Sequence, residues 1–280
     1  MINVGIIGCG RFTNAYLKTL KRFEPEVCVK YLCSRTNKSL ENINKNLPMN
    51  FHWTNDYKRV CLDPFIDLII IVTPPESHYE IAKFALENNK NVLCEKPFVF
   101  SVKEAEELER ISVEKNKHLI INYIHLWNKF YEKAFLNKFG AKKVIMSVSN
   151  PKTGREHSSI LWDWGTHEIS MLLHMFPEEV FEKPDTIASE DKLAFKVKSQ
   201  NIECECYFDI NSNIKSRSIK IEKIDGSVFE YFDTFDQNPL ENMLVDVVKF
   251  VKEAKERVSN AKLAKKVTEI LLIINKQLNE

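Results

Sequence analysis

The sequence predicts a two-domain α/β protein: a parallel sheet wound with helices over residues 1–120, then an α+β domain with a mostly antiparallel sheet over residues 121–280. Three observations predict it. Short β-branched runs alternate with helical stretches up to about residue 120, which calls for parallel strands joined by crossover helices. A glycine cluster, Gly5-Ile6-Ile7-Gly8-Cys9-Gly10-Arg11-Phe12, separates the first strand-like run from the first helical one. Past residue 140, strand-like runs follow one another with few helices between them.

Residues 3–7 form the first strand, 12–22 the helix after it and 27–33 the second strand. The continuous apolar run 68–72 has the character of a strand at a sheet's centre, and 91–94 is another short strand. Between these two, Ile81, Ala82, Ala85 and Leu86 recur at helical spacing and Asn88-Asn89 supplies a stop, completing a β-α-β unit. The second domain carries strands at 143–147, 193–198, 203–210, 215–222 and 228–232, with Asp225-Gly226 turning the last hairpin. Two amphipathic helices, near 239–256 and 260–278, close the chain and pack on the core. In the first, Leu240, Met243, Leu244, Val247, Val248 and Val251 keep helical spacing.

Composition limits the function. A chain of 280 residues with 44% hydrophobic and 28% charged residues removes about three quarters of its unfolded surface from water and needs no disulfide or metal staple. Disordered and collagen-like classes are excluded. Lys+Arg 40 against Asp+Glu 39, with the signs interspersed, gives no basic field for nucleic acid and no polybasic stretch for a membrane surface. The longest apolar runs, 68–72 and 270–274, fall short of the roughly 18 residues a spanning helix needs. The N-terminus lacks a basic n-region, so the expected location is the cytoplasm. Seven cysteines, odd in number and without Cys-x-x-Cys spacing, read as reduced packing residues, and no metal is assigned.

In the glycine cluster, Gly8 permits a tight turn, Gly10 lets the backbone approach a pyrophosphate, and the helix starting near Arg11 and Phe12 offers free N–H groups. Thr13 stands where a third glycine is usual. A ligand-free turn has the same composition; its place at the head of a β-α-β unit favours a dinucleotide. After the second strand the chain reads Ser34-Arg35-Thr36 where an acidic residue would bind an unphosphorylated ribose. Two hydroxyls and a guanidinium suit a 2′-phosphate, so NADP is preferred over NAD, against the plainer reading of a polar strand end.

Two further segments identify a family. Val72-Thr73-Pro74-Pro75-Glu76-Ser77-His78 follows the central strand and Cys94-Glu95-Lys96-Pro97 the next one. With the N-terminal Gly-x-x-Gly-x-Gly they resemble the glucose-fructose oxidoreductase, inositol dehydrogenase and MocA family (Gfo/Idh/MocA), nearly continuously over residues 1–125. The resemblance implies a Rossmann domain followed by an open sheet that supports homodimers or homotetramers. It also implies NAD(P)-dependent dehydrogenation, with Thr73, Pro74, His78, Glu95 and Lys96 beside the cofactor. A second motif is implied too, Asp-x-Gly-x-His, which Asp163-Trp164-Gly165-Thr166-His167 matches. That spacing places Asp163 and His167 on one helical face about a turn apart, although a helix cap with a surface histidine has the same spacing. The chain departs from the family at Ser170, where Asp is frequent, and at Leu126, where Arg is frequent. Its second domain also looks shorter than in many relatives.

Oxidising a secondary alcohol with a nicotinamide requires hydride to leave carbon while a base takes the hydroxyl proton. His167 suits the base. Lys96, at a strand's carboxyl end, suits contact with both substrate oxygen and nicotinamide ribose. Asp163 orients His167 or binds a hydroxyl, and the family implies the same catalytic trio, Lys96, Asp163 and His167; which of Lys96 and His167 moves the proton stays open. Tyr123, His125 and Trp162, with Trp127 and Trp164, either wall a sugar site or belong to an interdomain core. His78 serves local hydrogen bonding, and His52, His118 and His174 are partly buried structural residues. The expected substrate is a sugar, cyclitol or nucleotide sugar. The rivals are a non-catalytic regulatory protein of the same fold, a nicotinamide-dependent glycosidase and a reductase of a non-sugar carbonyl; retention of all three catalytic candidates favours the dehydrogenase.

Overall fold

The apolar run Leu68–Ile71 is buried on both faces, and a parallel sheet is built around it. The computed structural model describes residues 1–10, 12–46, 52–149, 160–189, 192–209, 211–253 and 257–280. These fall into two units: Met1–Asn122 with Leu240–Lys265, and Tyr123–Pro239 with Lys266–Glu280. The segment Leu240–Lys265 thus returns to the first unit, whereas the sequence reading groups it with the second domain.

Unit 1 contains, in order, β1 (Ile2–Ile7), α1 (Thr13–Leu20), β2 (Val27–Cys33), α2 (Asn37–Asn46), β3 (His52–Thr54), α3 (Tyr57–Leu62), β4 (Leu68–Ile71), α4 (His78–Glu87), β5 (Asn91–Cys94), α5 (Val102–Glu114) and β6 (Leu119–Ile121). The strands lie in the order β3-β2-β1-β4-β5-β6, all parallel. This doubly wound order reverses between β1 and β4, and open sheets of this kind bind ligands at the carboxyl ends of the strands near that reversal.

The returning segment covers the sheet's edge. Val258 accepts from the Leu119 amide at 3.2 Å, and the Asn260 side chain both accepts from the Ile121 amide (2.7 Å) and donates to its carbonyl (2.9 Å). An edge paired in this way no longer offers a template to other strands. His118 holds the same segment: its buried Nδ1 accepts from the Val258 amide at 2.9 Å. Burial lowers the pKa of His118 below the usual histidine value, so the folded unit favours the neutral ring. The resulting stabilisation is complete above the unfolded histidine range and is lost as pH falls through it toward the folded value. Hydrogen exchange at Leu119 and Val258 is therefore expected to accelerate between about pH 7 and pH 5, and the acceleration should vanish in His118→Gln. Exchange independent of pH after correction for intrinsic rates would refute the role.

Unit 2 contains α6 (Lys129–Leu136), β7 (Ala141–Ser149), a π turn (Leu161–Gly165) running into α7 (Thr166–Met175), and then β8 (Asp185–Ser189), β9 (Lys192–Lys198), β10 (Glu203–Asp209), β11 (Ser216–Lys223) and β12 (Val228–Phe232). The chain ends in α8 (Pro239–Glu253) and α9 (Ala261–Leu278). The second sheet runs β12-β11-β7-β10-β9-β8 and is antiparallel throughout except for the pair β7 and β10. Alternation sets its faces: Leu193, Phe195, Val197, Cys204, Cys206, Phe208, Val144, Met146, Ile219 and Ile221 are buried. On the other face Glu203 lies 2.7 Å from Lys196 and 3.1 Å from Lys143, and the Lys196 ammonium leads in holding its carboxyl down at about 2. Among the described residues no helix is long and apolar enough to cross a membrane.

Candidate active site

The cofactor candidates of unit 1 gather at the carboxyl ends of β1, β2, β4 and β5. Gly8, directly after β1, has φ +113°, and a Cβ on it would stand 2.5 Å from both the carbonyl carbon and oxygen of Val72. Glycine is required there because two backbones touch. Thr13 is fully buried and its hydroxyl donates to the Gly8 carbonyl at 3.0 Å, so where the third glycine is missing a side chain closes the turn. Gly10 differs: among the described residues a Cβ on it would meet nothing nearer than the Val72 oxygen, at 3.8 Å. Phe12 caps α1 and is 50% exposed; Arg11 lies outside the described residues.

Beyond β2, Ser34 is half-buried, and its amide donates to Thr54 O (3.1 Å) while its carbonyl accepts from Asn55 Nδ2 (2.7 Å). Arg35 and Thr36 are exposed, with Thr36 Oγ1 at 2.9 Å from Ser39 Oγ. Beside them burial pushes the thiols up, Cys9 to about 11 and Cys33 and Cys61 to about 12. Thiols held protonated react slowly, and iodoacetamide at neutral pH is expected to leave Cys9 unmodified while it consumes free cysteine; rapid labelling of Cys9 would contradict that environment. All seven cysteines are free, five of them buried and Cys9 and Cys28 half-buried.

The loops after β4 and β5 are tied together by His78. This fully buried ring contacts the carbonyl oxygens of Pro97 through Nδ1 (2.9 Å) and Thr73 through Nε2 (2.9 Å). Ser77 Oγ donates to Thr73 Oγ1 at 2.8 Å, and Pro74 is exposed at the loop's rim. Lys96 is half-buried and joined to Pro97 by a cis peptide. Its neighbour Glu95 is buried, and its oxygens accept from the Tyr16 hydroxyl (2.8 Å), Asn122 Nδ2 (2.7 Å) and the Lys96 amide (3.2 Å). That network joins α1, β5 and the residue after β6 directly behind Lys96. Burial and the Glu95 carboxylate raise the Tyr16 hydroxyl well above its usual value, so it stays a donor. Neither Tyr16 nor Asn122 stands out in the sequence as a site residue.

In unit 2, Asp163 lies on the π turn and His167 one residue into α7. The sequence predicts an ordinary helical turn there; the wider turn still leaves the two residues on one helical run, and π turns recur at functional sites. Gly165 of the motif has a packing reason, since a Cβ would lie 3.1 Å from Leu161 Cδ1 and 3.9 Å from Leu271 Cδ2 on α9. Trp162, half-buried, donates from Nε1 to Asn275 Oδ1 at 3.3 Å. Tyr123 is buried, while His125, Trp127 and Trp164 are half-buried. His167 is buried, and the His125 ring meets it edge to face, centroids 4.6 Å apart and planes at 83°. Ser170, the departure from the family pattern, donates to the His167 carbonyl at 2.8 Å. Of the histidines read as partly buried, His118 is buried and His52 and His174 are exposed; His174 Nδ1 lies 2.6 Å from the Tyr131 hydroxyl.

Two residues beside His167 are absent from the sequence-based candidates. Glu168 is wholly buried, and its Oε1 lies 3.0 Å from Nε of Arg217, whose side chain is 9% exposed. Arg217 Nη1 lies 3.0 Å from His125 Nδ1 and contacts Nε2 as well. Strand parity signals the arginine: with Ile219 and Ile221 facing inward, position 217 faces inward too. Among the described residues no group of His, Cys, Asp and Glu side chains could hold a metal ion.

Residues 2–123 match the model of the oxidoreductase family with an NAD-binding Rossmann fold, Gfo/Idh/MocA. The chain is 28% identical over 207 residues to the uncharacterised oxidoreductase YhhX of Escherichia coli K12, covering 67% of this chain and 56% of that one. It is 27% identical over 193 residues to IolW of Bacillus subtilis 168, a scyllo-inositol 2-dehydrogenase (NADP(+)), covering 62% and 52%. The matched stretch thus spans about half the length of these curated relatives. Among solved structures, myo-inositol dehydrogenase of Lactobacillus casei, in complex with NAD(H) and myo-inositol, superposes with a TM-score of 0.89 at 13% identity over 100% of this chain and 95% of that one, which is a likeness of fold. Sheet order, glycine turn and matched segment agree over residues 2–123: this N-terminal part of the chain is an NAD-binding Rossmann domain of the Gfo/Idh/MocA oxidoreductase family.

Proposed function

We propose that the protein is an NAD(P)-dependent dehydrogenase acting on a secondary hydroxyl of a cyclic polyol, a sugar, cyclitol or nucleotide sugar. The observation that carries the cofactor half is Gly10: among the described residues a Cβ there would meet nothing closer than ordinary contact, at 3.8 Å, while Gly8 beside it is demanded by the fold. A glycine without a packing reason at the mouth of this turn fits the close approach of a pyrophosphate. Gly8, Gly10 and the amides that open α1 would hold the phosphates; Thr73, Pro74 and His78 would shape the adjoining wall. Ser34, Arg35 and Thr36 would take a 2′-phosphate, the arginine as a multidentate donor.

A bound nicotinamide supplies the hydride acceptor. His167 takes the hydroxyl proton, Lys96 donates to the substrate oxygen, and Asp163 orients the base or binds a neighbouring hydroxyl. Glu95, engaged by Tyr16 and Asn122, serves as a support that fixes the backbone at Lys96. The polyol assignment draws on the scyllo-inositol and myo-inositol specificities of the relatives.

The test begins with calorimetric titration of NADP and NAD into nucleotide-free protein. Arg35→Ala is expected to weaken NADP by about tenfold or more and leave NAD unchanged, the loss of a charge-assisted phosphate contact. Screening inositols and sugars for cofactor reduction follows. His167→Gln is expected to lower kcat by about 10²–10⁴, the usual worth of a general base, with cofactor affinity preserved. Absence of binding by any cofactor form would overturn the reading in favour of a regulatory protein; cofactor bound but never reduced on net would favour the glycosidase.

A further inference from the structure

The mechanism above leaves the Arg217 and Glu168 pair without a task. The pair is buried, its atoms 3.0 Å apart, and Arg217 extends from the inward face of β11 to the His125 ring. His125 in turn packs edge-on against His167. A guanidinium carries donors alone and does not give up its proton, so a ring nitrogen facing it accepts and must keep a lone pair. We propose that Arg217, neutralised by Glu168, is a positioning residue that holds His125 unprotonated against His167, leaving His167 as the one imidazole of the pair that exchanges a proton.

Of the charged groups on the elements packed there, Arg217 of β11 reaches the His125 ring, Glu168 of α7 pairs with Arg217, Asp163 lies on the π turn before α7, and buried Asp233 follows β12 and bonds Asn128, whose backbone amide donates to the His125 carbonyl at 3.1 Å. Asp233 Oδ2 accepts from Asn128 Nδ2 at 3.3 Å and its Oδ1 from the Phe235 amide at 3.0 Å. The charged residues of α6, Lys129, Glu132 and Lys133, are exposed. Glu168 would favour a protonated His125, and its pairing with Arg217 offsets that pull. A protonated His125 would place a cation beside His167 and oppose proton uptake there; the arginine removes this competitor. The catalytic consequence rests on His167 acting as the base, whereas the protonation state of His125 does not.

The test is NMR of the ring nitrogens in histidine-labelled protein, with signals assigned through His125→Gln and His167→Gln. In the wild type the His125 ring is expected to keep one protonated nitrogen from about pH 8 to about pH 5. In Arg217→Met/Glu168→Gln, which removes both charges so that neither is left buried alone, it should titrate through the ordinary histidine range and carry the His167 signal with it. Arg217→Gln/Glu168→Gln, a neutral pair whose amides can accept as well as donate, should give the same release if the first double variant does not fold. Uptake of a second proton by His125 in the ordinary range in the wild type would overturn the proposal without any variant. With a turned-over polyol in hand, the double variant should lose about tenfold or more in kcat, shift the acid limb of its pH profile upward and keep KM within about twofold. An unchanged kcat and profile would overturn the positioning role while leaving the dehydrogenase reading intact; a wild type inactive on every polyol would count against that reading and leave the ring titration to decide this one.

Discussion

Gly8→Ala is expected to destabilise the N-terminal unit by about 3–5 kcal/mol, whereas Gly10→Ala, two residues on, leaves the fold intact and weakens dinucleotide binding. At Gly8 two costs add: a left-handed backbone, φ +113°, worth about 1–3 kcal/mol for a residue with a Cβ, and overpacking of similar size. The overpacking cannot relax cheaply, because the atoms met at 2.5 Å are the backbone carbonyl of Val72 at the end of β4. Moving them would part the central strands that define the crevice. At Gly10 neither cost arises, since a Cβ clears the nearest atom by 3.8 Å. Its cost falls on the ligand, with NADP affinity dropping by about tenfold or more, some 1.4 kcal/mol. Urea unfolding followed by circular dichroism, with calorimetric titration, separates the two. A Gly8→Ala protein as stable as wild type, or a Gly10→Ala protein that binds normally, would contradict the assignment of the turn.

Arg217→Met alone is expected to destabilise by about 3–5 kcal/mol, because it strands the wholly buried Glu168 carboxylate without its cation. Glu168→Gln alone strands the guanidinium and should act in the same direction. Removing both should recover most of the loss, because replacing a buried pair outright is far less costly than breaking it. The coupling in a double-mutant cycle is thus expected at about 2 kcal/mol or more, beyond the median for exposed pairs. Additive single losses would show that the two side chains do not stabilise each other. The exposed pair Lys252 and Glu26, 3.0 Å apart with more than half of each side chain in solvent, supplies the contrast and should show almost no coupling.

Much of the architecture was readable from periodicity. The runs 27–33, 91–94 and 228–232 coincide with β2, β5 and β12, and the helical spacing of Ile81, Ala82, Ala85 and Leu86 falls within α4, because continuous or periodic apolar residues leave few other ways to be buried. Strands β3 and β6 and the exposed edge strand β8 were not predicted, since three residues are too few to set a period and Asp185–Ser189 carries no buried apolar row. The candidate residues Gly8, Gly10, Lys96, Asp163 and His167 were legible as motifs, and the structure places the first three after the carboxyl ends of β1 and β5 and the other two on the π turn and α7. The supports behind them were not. Tyr16, Asn122, Glu168 and Arg217 lie 79, 27, 49 and 92 positions from the residues they hold, and only a folded sheet brings such distances together.

By itself, then, the sequence determined the alternation of strand and helix, the glycine turn and the residue types capable of dinucleotide and polyol chemistry, because these follow from local patterning and from side-chain functional groups. Tertiary structure decided why Gly8 and Gly10 differ, why Glu95 faces inward to Tyr16 and Asn122, how segment 257–260 seals the edge of β6, and which charges surround His125. Each of those depends on a close approach between distant parts of the chain. Proximity of that kind is set by packing and hydrogen-bond satisfaction within each unit, and no window of neighbouring residues records it.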